Sequence, residues 1–360
     1  MPLPTSPRRR ILIKASLAAL VGAPALTRAQ TPEAIIMHVR DASILRLPAN
    51  AEAQKQFESS APRAAQPGRW SIRAPLPFPR SEMASAAAWN GRMHVVGGFG
   101  NLRVDRAYHH VYDAAKNVWS EAAALPRGAS HIGVATANGQ LYALGGFIEQ
   151  NRLPHEEAFA FDIAKGEWRT IAPLPRARAA ACVVNLQGKI HVIGGASGRD
   201  IRKSVDWHEV YDAAADRWEP RAPLPDPRDH AGAEVLNGRI HLIGGGFDGS
   251  NRNTDLHHVY EPKSDRWEKR APLPTPRNGH ATAVLREKIF VMGGESAGKV
   301  HGQNEAYDTK SDTWESHAPL PTPRHGAGAA AIGNTIYFAG GAPLAGTTFL
   351  TSVNEAYTPA

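Results

Sequence analysis

The sequence predicts an all-β fold of six four-stranded antiparallel sheets repeated about one axis, closed into a ring by a strand from the N-terminal side. Three observations carry this. Gly-Gly pairs follow short apolar runs, with first glycines at Gly97, Gly145, Gly194, Gly244, Gly293 and Gly340. Six of the eight tryptophans, Trp70, Trp119, Trp168, Trp218, Trp267 and Trp314, recur at intervals of 47 to 50 residues. An aromatic residue stands seven positions before five of them (Tyr112, Phe161, Tyr211, Tyr260, Tyr307), and Tyr357 is a sixth with no tryptophan after it. Three markers sharing one period define a repeat before any local propensity is consulted.

Each unit reads as four short strands, A to D. Strand A is small and apolar, as in Ala86–Trp89, Gly232–Leu236 and Gly328–Ile332. Asn90-Gly91, Asn138-Gly139 and Asn237-Gly238 follow as two-residue hairpin turns. Strand B alternates and ends in Gly-Gly. A loop of variable length leads to strand C, which ends at the aromatic residue. A short polar turn leads to strand D at the tryptophan. The Ala-Pro-Leu-Pro-type segment after it cannot be a central strand. Ala and Gly in strand A and Trp in strand D fit a wedge that widens away from an axis, the geometry of a β-propeller. Trp70 precedes every strand A and Tyr357 follows the last strand C. The Trp70 strand is therefore expected to complete the last blade and leave no free edge.

Length and composition agree. The chain has 360 residues, 42% hydrophobic and 21% charged, which excludes wholesale disorder. Its 33 glycines and 28 prolines suit a chain that turns often. The formal charge is +7, but the first 29 residues hold Arg8, Arg9, Arg10, Lys14 and Arg28 with no acid, leaving +2 for the rest. The charge is thus no argument for nucleic acid. Cys182 stands alone, so neither an internal disulfide nor a cysteine-cluster metal site is expected.

Residues 1–29 read as a secretory signal peptide. A basic start precedes a short apolar run and the small-residue patterns Ala23-Pro-Ala25 and Thr27-Arg-Ala29. Arg9-Arg10-Ile-Leu-Ile-Lys14 also resembles a twin-arginine export signal. The expected location is periplasmic or secreted, with no transmembrane segment, because the apolar run is too short to span a bilayer. Residues 30–66 read as a linker, and 67–360 as the propeller.

The Gly-Gly pairs, the Tyr-Asp of Tyr112-Asp113, Tyr211-Asp212 and Tyr307-Asp308, and the tryptophan seven beyond each Tyr resemble the kelch family over about residues 67–360. The resemblance implies a six-bladed propeller. It leaves function open, since kelch propellers include protein-binding scaffolds, galactose oxidase-like copper enzymes and a bacterial periplasmic sialic acid mutarotase.

The B–C and D–A loops share one face of such a ring, and the variable B–C loops make it the expected binding face. The D–A loops supply Arg80, Arg127, Arg178, Arg228, Arg277 and Arg324, which lie 16 to 18 residues upstream of each Gly-Gly. His131, His230, His280 and His325 follow them. Together they are the candidate ligand-binding residues of the channel mouth, since guanidinium groups suit carboxylates. Arg103, Arg152, Arg199 and Arg252 lie in the B–C loops. The repetition of the D–A arginines favours a structural role, bonding loop carbonyls or a neighbouring blade's acid. His94, His191 and His241 share one repeat position, and Glu209, Glu305 and Glu355 share another. Such recurrence points to packing. A copper–radical site is disfavoured because only Tyr108 falls outside the repeat positions. No cofactor or metal is expected and no catalytic residue is assigned. The expectation is an exported monomeric binding protein for a protein or anionic glycan. The alternative is an enzyme on an acidic sugar, with a His or Glu moving protons.

Overall fold

The computed structural model describes residues 67–83, 85–248, 252–346 and 349–360. The signal segment and linker read from the sequence lie outside these residues. Six four-stranded antiparallel sheets form the blades. Blade 1 comprises Ala87–Trp89, Arg92–Val96, His109–Asp113 and Val118–Glu121. Blades 2 to 5 repeat this order, with inner strands Gly133–Ala137, Cys182–Leu186, Gly232–Leu236 and Ala281–Leu285. Blade 6 takes Gly328–Ile332, Thr335–Ala339 and Asn354–Thr358 from the C-terminal end and Arg69–Ile72 from the N-terminal side. Its closing register pairs Trp70 with Tyr357, as the unpaired aromatic predicts.

Three tiers of hydrogen bonds join each blade to the next. The outer tier uses the tryptophans. Trp119, Trp218, Trp267 and Trp314 donate from Nε1 to the carbonyls of Ala74, Ala172, Ala222 and Ala271, at 2.8 to 2.9 Å. The N–H groups of the same alanines donate to Asn117, Asp216, Asp265 and Asp312. Those side chains also accept the hydroxyls of Tyr112, Tyr211, Tyr260 and Tyr307. Both backbone groups of one alanine are thus held by the next blade. This explains why Tyr, Asp or Asn, and Trp recur at fixed spacing.

The Gly-Gly pair makes the middle tier. The N–H of Gly146 donates to the carbonyl of Arg178, and that of Gly294 to the carbonyl of Arg324, each at 3.0 Å. The first glycine of each pair has φ between 60 and 70°. A Cβ at Gly145 would lie 2.4 Å from the Arg178 carbonyl oxygen. Both positive φ and close approach therefore require glycine here.

The B–C loops are more ordered than their variable length suggests. Two-residue strand pairs form at Phe147–Ile148 with Leu153–Pro154, Ala196–Ser197 with Lys203–Ser204, and Glu295–Ser296 with Lys299–Val300.

The histidines shared between repeats pack in pairs. Nδ1 of His94, His191 and His241 faces Nε2 of His109, His208 and His257 at 2.9 to 3.0 Å. Burial keeps all six neutral, pushing their pKa values down to about 3 or 4. Unfolded histidine takes its proton near pH ~6.5. Between there and about pH 4 the unfolded chain holds more protons than the folded one, so stability falls as pH falls. Each neutral histidine contributes a slope of up to about 1.4 kcal/mol per pH unit. Urea midpoints are expected to drop steeply from pH 6.5 to 5. A flat midpoint across that range would show that the pairs are not held neutral.

Candidate functional site

The D–A loops align on a three-residue frame. Its first position carries Arg80, Ala129, Arg178, Arg228, Arg277 and Arg324. The second carries Ser81, Ser130, Ala179, Asp229, Asn278 and His325, which bridge to the residue after each Gly-Gly. The third carries Glu82, His131, Ala180, His230, Gly279 and Gly326.

The first position is structural, which corrects the expectation that its arginines line the mouth. Arg80, Arg178, Arg228, Arg277 and Arg324 are all at most 1% exposed. Arg277 donates from Nε to the Gly293 carbonyl at 2.7 Å, from Nη2 to the Val291 carbonyl at 2.9 Å, and from Nη1 to Glu305 at 2.6 Å. Arg324 repeats this with Gly340, Phe338 and Glu355, and Arg178 pairs with Glu209. In blade 1 the acid is replaced by His110, whose Nδ1 accepts from Arg80 at 2.7 Å. Arg228 bonds the carbonyls of Gly244, Leu242 and Asp226. Arg127 lies outside the frame, half-exposed and paired with Glu157. Its slot holds Ala129, and the matching acid position of blade 2 holds Phe159. The two pack in one apolar cluster. Where the arginine is missing, its acid is missing too.

The four histidines occupy two frame positions and one step past the frame, so the structure does not bring them all together. His280 lies one step past the frame, buried beside Gly232 and Gly244 and held neutral by burial, with its pKa lowered to about 3. It lines the lower channel, a cavity of about 240 Å³ among the inner strands. His131, His230 and His325 face the loop side.

The third position forms the throat of the ring. All six residues there have positive φ, from 51 to 61°. The N–H groups of His131, Ala180, His230, Gly279 and Gly326 each donate to the carbonyl of the preceding blade's throat residue, at 2.7 to 3.2 Å. Met83 N–H closes the circle onto Gly326. This is the inner tier. The left-handed region costs a non-glycine residue on the order of 1 kcal/mol, yet Glu82, His131, Ala180 and His230 stand in it. The side chains of Glu82, His131 and His230 converge. His131 Nε2 lies 3.1 Å from Glu82 Oε2, and His325 Nε2 lies 3.2 Å from Glu82 Oε1. The rings of His131 and His230 are 4.9 Å apart, edge to face. Asp229 binds His230 Nδ1.

Protonation follows from these contacts. Burial disfavours the Glu82 carboxylate, but hydrogen bonds and charge from His131 and His325 outweigh it and hold its pKa well below the usual value. Burial lowers His131 to about 4. Burial also opposes the charge on His325, but Glu295 and Glu82 raise its pKa to about 9. Asp229 likewise overcomes burial at His230 and raises its pKa.

Above the throat opens a bowl of about 670 Å³ between the D–A and B–C loops. Its wall includes Arg103, Arg152, Arg202, Asp200, Asp248, Asn278 and Glu295. Arg152 pairs with Asp200 at 2.6 Å. Arg202 stands over the Phe147 ring at 4.2 Å and donates to the Asn151 carbonyl at 3.0 Å. Arg199 pairs with Glu149, and Arg252 with Asp248 at 3.5 Å. The wall is therefore mixed in sign rather than uniformly positive. Glu82 and Arg202 are missed by reading the repeat, because neither recurs. The available signal is the frame itself, where Glu82 stands in a position that two other blades give to glycine.

The arginine frame predicts that Arg277→Ala lowers stability by about 3 kcal/mol by stranding the buried Glu305. The double variant R277A/E305F, which copies Ala129 and Phe159 of blade 2, is expected to recover most of that loss. Urea melts of the two proteins check this. An R277A midpoint equal to the parent's would show that the pair holds nothing.

No curated protein matches the chain. A solved structure titled "Structure of YjhT" is similar at 17% identity, over 79% of this chain and 96% of that one, with a TM-score of 0.67, which speaks for the fold alone. The family model described as the KLHDC2/KLHL20/DRC7 Kelch-repeats domain matches residues 130–341. With six blades built on the Gly-Gly, Tyr and Trp framework, the chain belongs to the kelch-repeat family.

Proposed function

We propose that this chain is an exported binding protein that holds an anionic glycan in the bowl. The observation that carries the reading is Arg202. Its guanidinium is largely withdrawn from water, stacked on Phe147, and among the described residues makes no ion pair. Arg103, on the same wall, also has no acid partner among the described residues. Two guanidiniums with no directly bonded carboxylate, facing a cavity with acids, amides and a serine, suit a ligand that offers a carboxylate and several hydroxyls. The size falls within the ~300–1,000 Å³ range of small-ligand sites.

A second reading, acid–base catalysis on an acidic sugar, is favoured by one arrangement. Glu82, His131 and His325 lie directly under the bowl with pKa values driven apart, the condition for moving protons. Faster anomer exchange of the bound sugar with the parent protein than with Glu82→Gln, followed by NMR, would favour it over binding alone.

Export is part of the proposal and rests on residues 1–29. Thermal melts of the exported chain, with its N-terminus read by mass spectrometry, test both parts. The terminus is expected near residue 26 or 30, and an intact Met1 would reject export. Sialic, glucuronic or galacturonic acid is expected to raise Tm by a few degrees at saturating concentration, less at high salt, with galactose inert. Arg202→Ala is expected to abolish the shift. No shift with any acid, or an equal shift with galactose, would contradict the binding reading.

A further inference from the structure

We propose that the throat binds one divalent metal ion of the zinc type through Glu82, His131 and His230. One ligand atom of each lies within 4.8 Å of the others. These residues come from three different blades, and the left-handed backbone of the throat aims all three at the axis.

Each side of the cluster has an orienting partner. Asp229 holds His230 by Nδ1, which leaves Nε2 for the axis, the carboxylate–histidine arrangement that supports metal-bound imidazole. His325 holds Oε1 of Glu82, leaving Oε2 beside His131. His131 is 3% exposed, and its Nδ1 has no hydrogen-bond partner. Two imidazoles and one carboxylate suit zinc, cobalt or nickel and not calcium or magnesium, which require oxygen sets. The surrounding charges are Asp229 and Glu295 against His325 and Arg202. With Glu82 added, the negative groups outnumber the positive once His230 gives up its proton to bind.

The bowl meets the cluster from one side, so the remaining coordination positions face the cavity rather than protein. Four of the six throat positions, Glu82, His131, Ala180 and His230, carry a side chain on a backbone that Gly279 and Gly326 adopt without cost, and three of those four bear ligating groups. The inference rests on the throat alone and stands whether or not the bowl takes a sugar.

The test is calorimetric titration of the metal-stripped chain with Zn²⁺, with Co²⁺ absorption as a second readout. One ion per chain is expected, with visible bands of low-symmetry Co²⁺. Glu82→Gln, His131→Gln and His230→Gln are each expected to weaken Zn²⁺ at least tenfold while retaining a cooperative melt. Asp229→Asn is expected to weaken it about tenfold through His230, and His280→Asn to leave it unchanged. No uptake of one equivalent would overturn the proposal. So would uptake that none of the three ligand variants weakens, which would place the ion elsewhere. A variant that does not fold is replaced by H131A or H230A, judged by the same titration.

Discussion

Six chain segments must pass the same axis, and the backbone there decides what the rest of the molecule can be. At the throat, each blade's entering residue adopts positive φ; five of them give their N–H to the carbonyl of the blade before, and Met83 N–H closes the circle. That circle of hydrogen bonds fixes the spacing of the inner strands. The inner strands are then confined to small residues, such as Gly328–Ile332, because neighbouring inner strands pack against one another across the channel. Further out the blades diverge, and the gap is filled by Tyr–Trp pairs whose indole N–H groups reach the adjacent blade.

A repeat protein separates its scaffold from its site by recurrence. Groups that recur in equivalent blades, such as Arg277 with Glu305 and Arg324 with Glu355, are buried and satisfied inside one blade and its loop. The exception supports the rule. Blade 2 has neither arginine nor acid and fills the space with Ala129 and Phe159. Buried ion pairs are often replaceable by apolar residues of similar volume, and this chain contains both solutions side by side. Chemistry gathers instead where the repeat is broken. Glu82, His131 and His230 stand at positions where other blades have Ala180, Gly279 and Gly326, and Arg202 belongs to one loop alone.

Much of the fold is legible in the sequence because its constraints repeat. The period, the four-strand blade and closure by the Trp70 strand all rest on residues whose physical role is the same six times. The grouping of the loops is also legible, because strand alternation alone places the B–C and D–A loops on one face. Side-chain direction is not. Arg228 and His230 are two residues apart, yet one turns into the blade and the other toward the axis. That difference follows from one left-handed residue, which spacing does not reveal. Arg80 looks displaced when counted from Gly97 but sits in the frame, because blade 1 carries one extra residue between them. Arg127, displaced by two residues, is outside it.

Closure is the condition for everything at the axis, since an open ring would let the throat residues separate. The Trp70 strand carries it through the Trp70–Tyr357 pairing, the Trp70 Nε1 bond to Ala318 at 2.7 Å, and the Tyr357 hydroxyl bond to Pro67 at 2.9 Å. Urea unfolding of two truncations measures its weight directly. Removal of residues 1–60 is expected to leave the midpoint unchanged, and removal of 1–75 to lower it steeply or abolish the cooperative transition. Equal midpoints would contradict the account, because the ring would then hold without its closing strand.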